Sequence, residues 1–158
     1  MLAFDGPWAI GSGLIAGVMT AVVLYSTIAF FPNVIRLDVL HAAGHVVNVR
    51  HFPGVYYAGG LVFLLGSILA GLAHAGMHQV VTVEMHVTGW AVLFGLGHWI
   101  IDGVLLGCVT RPGPAPKTAK MQSAGYFALE LPLAATLIFL GCHLLYGAAF
   151  AAFYDGLR

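Results

Sequence analysis

The chain has 158 residues, of which 60% are hydrophobic and only 8% are charged, and its mean hydropathy is +0.94. Soluble domains carry about 25% charged residues, so the composition excludes a soluble domain and predicts an integral membrane protein in contact with membrane lipid. Six basic residues balance six acidic residues. Because the basic residues are scattered along the chain, the sequence predicts no nucleic-acid partner.

Four apolar stretches are each long enough for a helix to cross the hydrocarbon core, which takes about 20 residues. They are predicted at residues 8–31, 54–74, 83–108 and 126–150. Lipid offers no partner to unpaired backbone groups, so all four are predicted as helices. They leave no room for a soluble domain. We therefore expect an all-α membrane protein, a single integral domain over residues 1–158 in which four transmembrane helices form an up-down bundle.

The first span carries small residues at a strict spacing of four, which lets another helix backbone approach closely. This row consists of Ala9, Gly13, Gly17 and Ala21. The spacing indicates a helix contact, and packing within this chain is favoured over packing against another protein.

The loop between the first two spans, NVIRLDVLHAAGHVVNVRHF, has helical periodicity. Asp38, His41, His45 and Asn48 fall on one stripe, and apolar residues cover the rest of the circumference. One interpretation is a set of metal ligands. The other is an amphipathic helix in the cytoplasmic membrane interface, which is favoured because a closed zinc site needs further ligands.

The orientation follows from the positive-inside bias of Lys and Arg in loops. Loops one and three carry Arg36, Arg50, Arg111, Lys117 and Lys120, whereas the other side carries only Arg158. The first and third loops are therefore predicted to be cytoplasmic, and both termini periplasmic.

The third span, VEMHVTGWAVLFGLGHWIIDGVLLGC, is apolar but contains ionisable residues. At about 100° per residue, one face carries Glu84, Thr88, Ala91, Gly95, His98 and Asp102. Ionisable groups in a bilayer are costly unless they face protein, water or a ligand. A candidate proton or ion path is formed by Glu84, His98, Asp102 and, on entering the fourth span, Glu130. The alternative is that the same groups pair only to pack the bundle.

His98 and His143 lie inside the third and fourth predicted spans, where each is a candidate axial ligand for haem or a chlorophyll-type pigment. Counted from the predicted span ends, the two differ in depth by about 10 Å. We therefore expect that they do not share one haem. His143 is closer in depth to His86 and His74, so a bis-histidine haem near the exterior face is the alternative.

The connection between the second and third spans, HAGMHQVVTVEMH, is rich in histidine. His74 and His78 share one face if the helix continues through the turn, as in metal-binding HxxxH pairs. The candidate transition-metal ligands are His74, His78, Glu84 and His86. Alternatively, these histidines lie at the membrane interface with the ring in lipid and the polar tip in water.

Two segments resemble the first and last helices of a family of small four-helix bacterial inner-membrane proteins of uncharacterised function. They are GLIAGVMTAVVLY, with Met19 and Thr20, and GCHLLYGAAFAAFYDG, with His143, Tyr146 and Gly147 in a His-x-x-Tyr-Gly element. The resemblance implies the four-helix fold and a bacterial inner-membrane location, and it implies no activity.

The sequence contains no GxSxG elbow, Walker-type loop or HExxH motif, so we expect no catalytic activity from the chain alone. The first functional hypothesis is a non-catalytic multi-pass subunit that packs against other membrane subunits in a respiratory or photosynthetic complex. The alternatives are a histidine-ligated haem or pigment electron-transfer protein and a small ion or proton conductor.

Overall fold

A computed structural model of the protein describes residues 4–32, 38–81, 86–110 and 124–156. Within these residues the chain is helical and has no strand. The helices are α1 (Gly6–Phe30), α2 (Val39–Val46), α3 (Gly54–Val80), α4 (Val87–Thr110) and α5 (Leu133–Gly156). All but α2 are long and apolar enough to cross a membrane. The predicted all-α fold, with four spanning helices and a short helix between the first two, is confirmed.

Large hydrophobic side chains cover the outer faces of the spanning helices. Examples from α1, α3, α4 and α5 are Val22, Leu69, Ile101 and Leu137, which are all exposed. An aqueous solvent would penalise such a surface, whereas lipid does not. The protein is therefore a multi-pass membrane protein in contact with lipid.

The fourth spanning helix begins seven residues later than the sequence pattern predicts. Tyr126–Ala128 form a separate 3₁₀ turn in which Phe127 and Ala128 have positive φ, so the chain cannot continue as an α-helix there. The helix begins after Pro132, whose carbonyl oxygen accepts the N–H of Ala135 at 2.8 Å. Proline lacks the N–H that a helix interior requires but is well suited to a helix start. Consequently α5 runs on to Gly156.

The second and third spanning helices also end at different places from those predicted. α3 continues to Val80, so His74 and His78 do share one face of a continuous helix. α4 begins at Val87. Glu84 lies outside the described residues, as do the cationic residues Arg36, Arg111, Lys117, Lys120 and Arg158. The predicted orientation therefore stays a prediction.

Small residues bring two helix pairs into backbone contact. On α1, a Cβ built on Gly13 would lie 2.6 Å from the carbonyl oxygen of Ser67 in α3. On α5, a Cβ built on Gly147 would lie 2.6 Å from the carbonyl oxygen of Ala91 in α4. Only glycine permits these approaches. The α1 row is thus used within the chain: Ala9, Gly13 and Gly17 are buried against α3, and Ala21 is half-buried.

α1 also packs closely on α5, so the four helices follow the order α3, α1, α5, α4 around the bundle. α3 and α4 are neighbours in sequence, but in the described residues their backbones do not approach as closely as those of the other pairs. They meet instead through side-chain rings: His74 stacks on Phe94 with ring centroids 4.8 Å apart, and His78 lies 4.3 Å from Trp90. The α3/α4 seam is therefore wider than the others and is filled by imidazole and aromatic rings.

α2 is held across one end of the bundle by a carboxylate. Asp38 caps the helix by accepting the N–H of His41 at 3.0 Å, and it accepts the hydroxyls of Tyr25 and Tyr56 at 2.8 Å each. Tyr25 and Tyr56 belong to α1 and α3, so one side chain joins three helices. Both carboxylate oxygens of Asp38 already accept hydrogen bonds. This favours the interpretation of the Asp38 stripe as an interfacial helix rather than a metal site.

Asp38→Ala is expected to release α2 from the bundle. The loss of the cap and of two charge-assisted hydrogen bonds destabilises this helix by about 2 kcal/mol, which corresponds to roughly 30-fold faster amide exchange. Hydrogen exchange of the α2 amides in detergent measures the effect. Tyr57→Phe is the matched control, because Tyr57 is 77% exposed. Unchanged exchange in Asp38→Ala would contradict the proposed attachment.

Candidate functional site

Three ionisable side chains converge inside the bundle, and we refer to them as the His–Asp–His cluster: His98 and Asp102 of α4 and His143 of α5. Asp102 Oδ2 lies 3.3 Å from His98 Nε2 and 3.2 Å from His143 Nε2. The ligand atoms of the three residues all lie within 4.8 Å of one another. Two imidazoles and a carboxylate thus point at one place from two helices.

The cluster lies near the middle of both helices. The ring centroids of His98 and His143 are 5.0 Å apart, so the predicted depth difference of about 10 Å is wrong. The cause is the position of the helix ends: α4 begins after residue 83, and α5 ends at Gly156 rather than at residue 150. Both differences move the histidines to the centre of the membrane span. Because glycines bring α4 and α5 together, the two rings meet there.

The orientation of His143 is fixed by the main chain. Its Nδ1 lies 2.7 Å from the carbonyl oxygen of Phe139. A carbonyl oxygen only accepts, so Nδ1 carries the hydrogen and donates it. In the neutral ring Nε2 then carries a lone pair and no hydrogen. This Nε2 lies 3.2 Å from Oδ2 of the Asp102 carboxylate. Two acceptors in contact need a cation between them, which is either a proton or a metal ion.

A cavity of about 220 Å³ lies beside the cluster and is lined by residues of all five helices. The Asp102 side chain is 40% accessible, compared with 9% for His143, so the carboxylate faces the cavity. The cavity is smaller than the pockets of about 300–1,000 Å³ that hold drug-sized ligands. It suits an ion with several waters, each of which takes up about 30 Å³.

Two further histidines extend from the cluster toward one end of the bundle. His74 is 4% exposed, and its ring centroid lies 5.6 Å from that of His98. One turn further along α3, His78 Nε2 lies 4.0 Å from Asp155 Oδ2 near the end of α5. We call His74, His78 and Asp155 the histidine column. The bundle end where Asp155 lies is called the Asp155 end.

Two other residues singled out in the sequence, His86 and Glu130, do not join the cluster. His86 is exposed immediately before α4, about 18 Å along the helix from His98 at 1.5 Å per residue. Glu130 is exposed in the segment before α5 and is not among the residues that line the cavity. Between His98 and His143, the Asp102 oxygen takes the space that a shared haem would need.

The sequence pattern paired His98 with Asp102 but did not connect His143 to them. A signal for this connection exists in the spacing of glycines. Gly95 precedes His98 by three residues and Gly147 follows His143 by four. A Cβ built on Gly95 would lie 2.8 Å from the carbonyl oxygen of His143. Small residues one turn from each histidine mark where the two helices touch.

These features define a class: a multi-pass, four-helix membrane protein with a His–Asp–His cluster at the centre of its bundle. Comparison with protein-family models, with characterised proteins and with solved structures gives no match for this chain.

Proposed function

We propose that the protein binds a divalent transition-metal cation in the middle of the membrane through His98, Asp102 and His143. The observation that carries the proposal is the convergence of these three donors on one point in the bundle. Imidazole and carboxylate are ligands of Zn²⁺ and of other first-row divalent metals. With metal–ligand bonds of about 2.0–2.2 Å, tetrahedral ligand atoms lie about 3.3–3.6 Å apart, which is close to the two nitrogen-to-oxygen distances of the cluster, 3.2 and 3.3 Å.

The orientation of the His143 ring is the one expected for a histidine that binds a metal. Its Nδ1–H donates to the carbonyl of Phe139, as the outer nitrogen of a metal-bound histidine usually does to a neighbouring acceptor. This contact aims the Nε2 lone pair at the centre of the cluster. Without a metal, the neutral ring of His98 can donate its own Nε2–H to Asp102, and one added proton on His143 completes the second contact. A metal ion would instead be shared by all three donors.

The site has three protein ligands, which is the ligand number of open sites rather than of closed structural sites. The cavity beside Asp102 offers room for a water as the fourth ligand. A divalent ion beside one carboxylate leaves one positive charge in a medium of low dielectric constant. Metal-bound water loses a proton far more readily than bulk water, so a water at the open position would supply the negative charge that balances the ion.

The other functional hypotheses have less support from the described residues. The expectation of a subunit in a bioenergetic complex rested on little extramembrane mass, on missing catalytic motifs and on small-residue surfaces for partners, but Gly13 and Gly17 of the α1 row pack against α3. The haem or pigment hypothesis used His98 or His143 as an axial ligand, but the Nε2 atoms of both face one carboxylate oxygen of Asp102. We further propose a bacterial inner-membrane location from the resemblance of the first and last helices, and a periplasmic Asp155 end from the charge distribution of the loops.

Metal titration of the purified protein tests the proposal. After chelation and desalting in mild detergent, Co²⁺ is added as a spectroscopic probe and Zn²⁺ as a competitor. We expect roughly one Co²⁺ per chain, with visible absorption bands of a site with nitrogen and oxygen ligands that Zn²⁺ abolishes. Folded protein that retains no Co²⁺ or Zn²⁺ above the detergent background would refute the proposal. A strong visible absorption before metal addition would instead support the haem or pigment hypothesis.

A further inference from the structure

We infer that the metal ion is a transported substrate, and that it reaches the His–Asp–His cluster from the Asp155 end through the histidine column. The inference rests on the proposed function, because it takes the cluster as the central binding site. The column, the cavity and the charge distribution of the spanning helices each support it.

The column forms a series of donors from the end of the bundle to its centre. At the mouth, the His78 and Asp155 side chains are 11% and 21% exposed and 4.0 Å apart. His74 follows one helical turn deeper and is 4% exposed. The next ring is that of His98, 5.6 Å away from His74. Each step is about the 5.4 Å of one helix turn, so an ion moves between neighbouring donors without crossing a purely apolar gap.

Several polar atoms in the column, and one of His98 at its inner end, have no hydrogen-bond partner among the described residues. They are His74 Nδ1, His98 Nδ1 and Asp155 Oδ1, all of them buried. Buried polar groups are normally paired, since desolvation without a partner is costly. If ring packing against Phe94 were the only role of His74, phenylalanine would serve it without an orphan nitrogen. A cation that passes with part of its hydration shell supplies the missing partner.

Beyond the cluster, the cavity continues the path toward α2. Its walls include Thr20 and Ser67. Both hydroxyls donate their hydrogens to backbone carbonyls, those of Ala16 and Phe63 at 2.9 Å each. The lone pairs of these oxygens are therefore left for a cation or its waters. The cavity reaches Val39, the first residue of α2, which lies beside the capping carboxylate Asp38.

The spanning helices carry no fixed positive charge that would oppose a cation. The sequence of residues 6–30, 54–80, 87–110 and 133–156 contains no Lys or Arg. Charges inside a membrane protein commonly mark an ion pathway. In this chain Asp102 and Asp155 contribute negative charge at the centre and at the mouth, so both attract cations.

Zinc uptake into proteoliposomes tests the inference. Vesicles that contain a zinc-sensitive dye and the wild-type protein receive Zn²⁺ outside, and the initial rate of fluorescence change is compared with that of protein-free vesicles. His74→Phe keeps a ring on Phe94 but removes both nitrogens. We expect it to lower the uptake rate at least 10-fold while equilibrium Co²⁺ affinity in detergent stays within about 3-fold of wild type. Asp155→Asn, at the mouth, is expected to lower the rate in the same way.

His86→Gln is the matched control, because His86 is an exposed histidine on the same side that does not belong to the column; its uptake rate should be that of wild type. Equilibrium Co²⁺ binding also reports whether each variant is folded. If the wild type binds metal but takes up Zn²⁺ no faster than empty vesicles, the transport inference fails and the site stands. Wild-type rates in both His74→Phe and Asp155→Asn would overturn the column as the path. Absence of metal binding in the wild type would refute the proposed function itself.

Discussion

Asp102→Asn is expected to lower the affinity of the purified protein for Zn²⁺ by about 100-fold or more. Loss of a supporting contact around a metal ligand typically costs 10- to 100-fold in affinity, and Asp102 is proposed as a ligand itself. It also supplies the only carboxylate of the cluster. The asparagine amide keeps the shape of the side chain but neither its charge nor its metal-binding strength. Competition between Zn²⁺ and a metal-sensitive dye measures the change.

Glu130→Gln is the matched control for this substitution. It makes the same carboxylate-to-amide change at an exposed residue outside the cluster, so its Zn²⁺ affinity should equal that of wild type. A comparable loss in both variants would mean that general charge, rather than the cluster, attracts the ion. Unaltered affinity in Asp102→Asn would remove Asp102 from the site.

Gly147→Val is expected to lower the free energy of unfolding by about 3 kcal/mol, the upper end of the range for overpacked cores. A Cβ at this residue would lie 2.6 Å from the carbonyl oxygen of Ala91 and 2.9 Å from the backbone nitrogen of Gly95. Backbone atoms of a helix have no rotamer to change, so α4 and α5 have to move apart. His98 and His143 would separate with them, and metal affinity should fall together with stability.

Gly141→Val, on the same helix, is the control. A Cβ built on Gly141 meets nothing within 4 Å, so the same change in side chain leaves the bundle contact intact. Thermal unfolding in detergent and Co²⁺ titration are measured on both variants. Equal unfolding temperatures for the two would show that the glycine contact does not hold α4 against α5.

The fold was predictable because composition and periodicity are strong signals in a membrane protein. Four apolar stretches with hardly any charge have no alternative to helices in lipid, and the stripe that includes Asp38 and His41 indicated a short amphipathic helix. Helix ends were less predictable. The start of α5 depends on Pro132 and on positive φ values at Phe127 and Ala128, which are local backbone features that hydropathy does not register.

The site was predictable only where its residues are close in sequence. His98 and Asp102 are one turn apart on the same helix face, and their pairing follows from helix geometry. Whether His143 reaches the cluster depends on the axial register between α4 and α5. Gly95 and Gly147 set that register through backbone contacts, so an error of a few residues in each helix end was enough to place His143 at the wrong depth.

Stiffness is unevenly distributed around the bundle. In the pairs α1 with α3 and α4 with α5, backbone lies directly on backbone at glycines, and such contacts contain no rotatable group that could yield. The seam between α3 and α4 is built from rings such as those of His74, Phe94 and Trp90, which turn about their side-chain torsions. We therefore expect relative motion of the helices to be concentrated at the α3/α4 seam. A ring rotation there changes the width of the histidine column, while the backbone contacts of both glycine-packed pairs are kept.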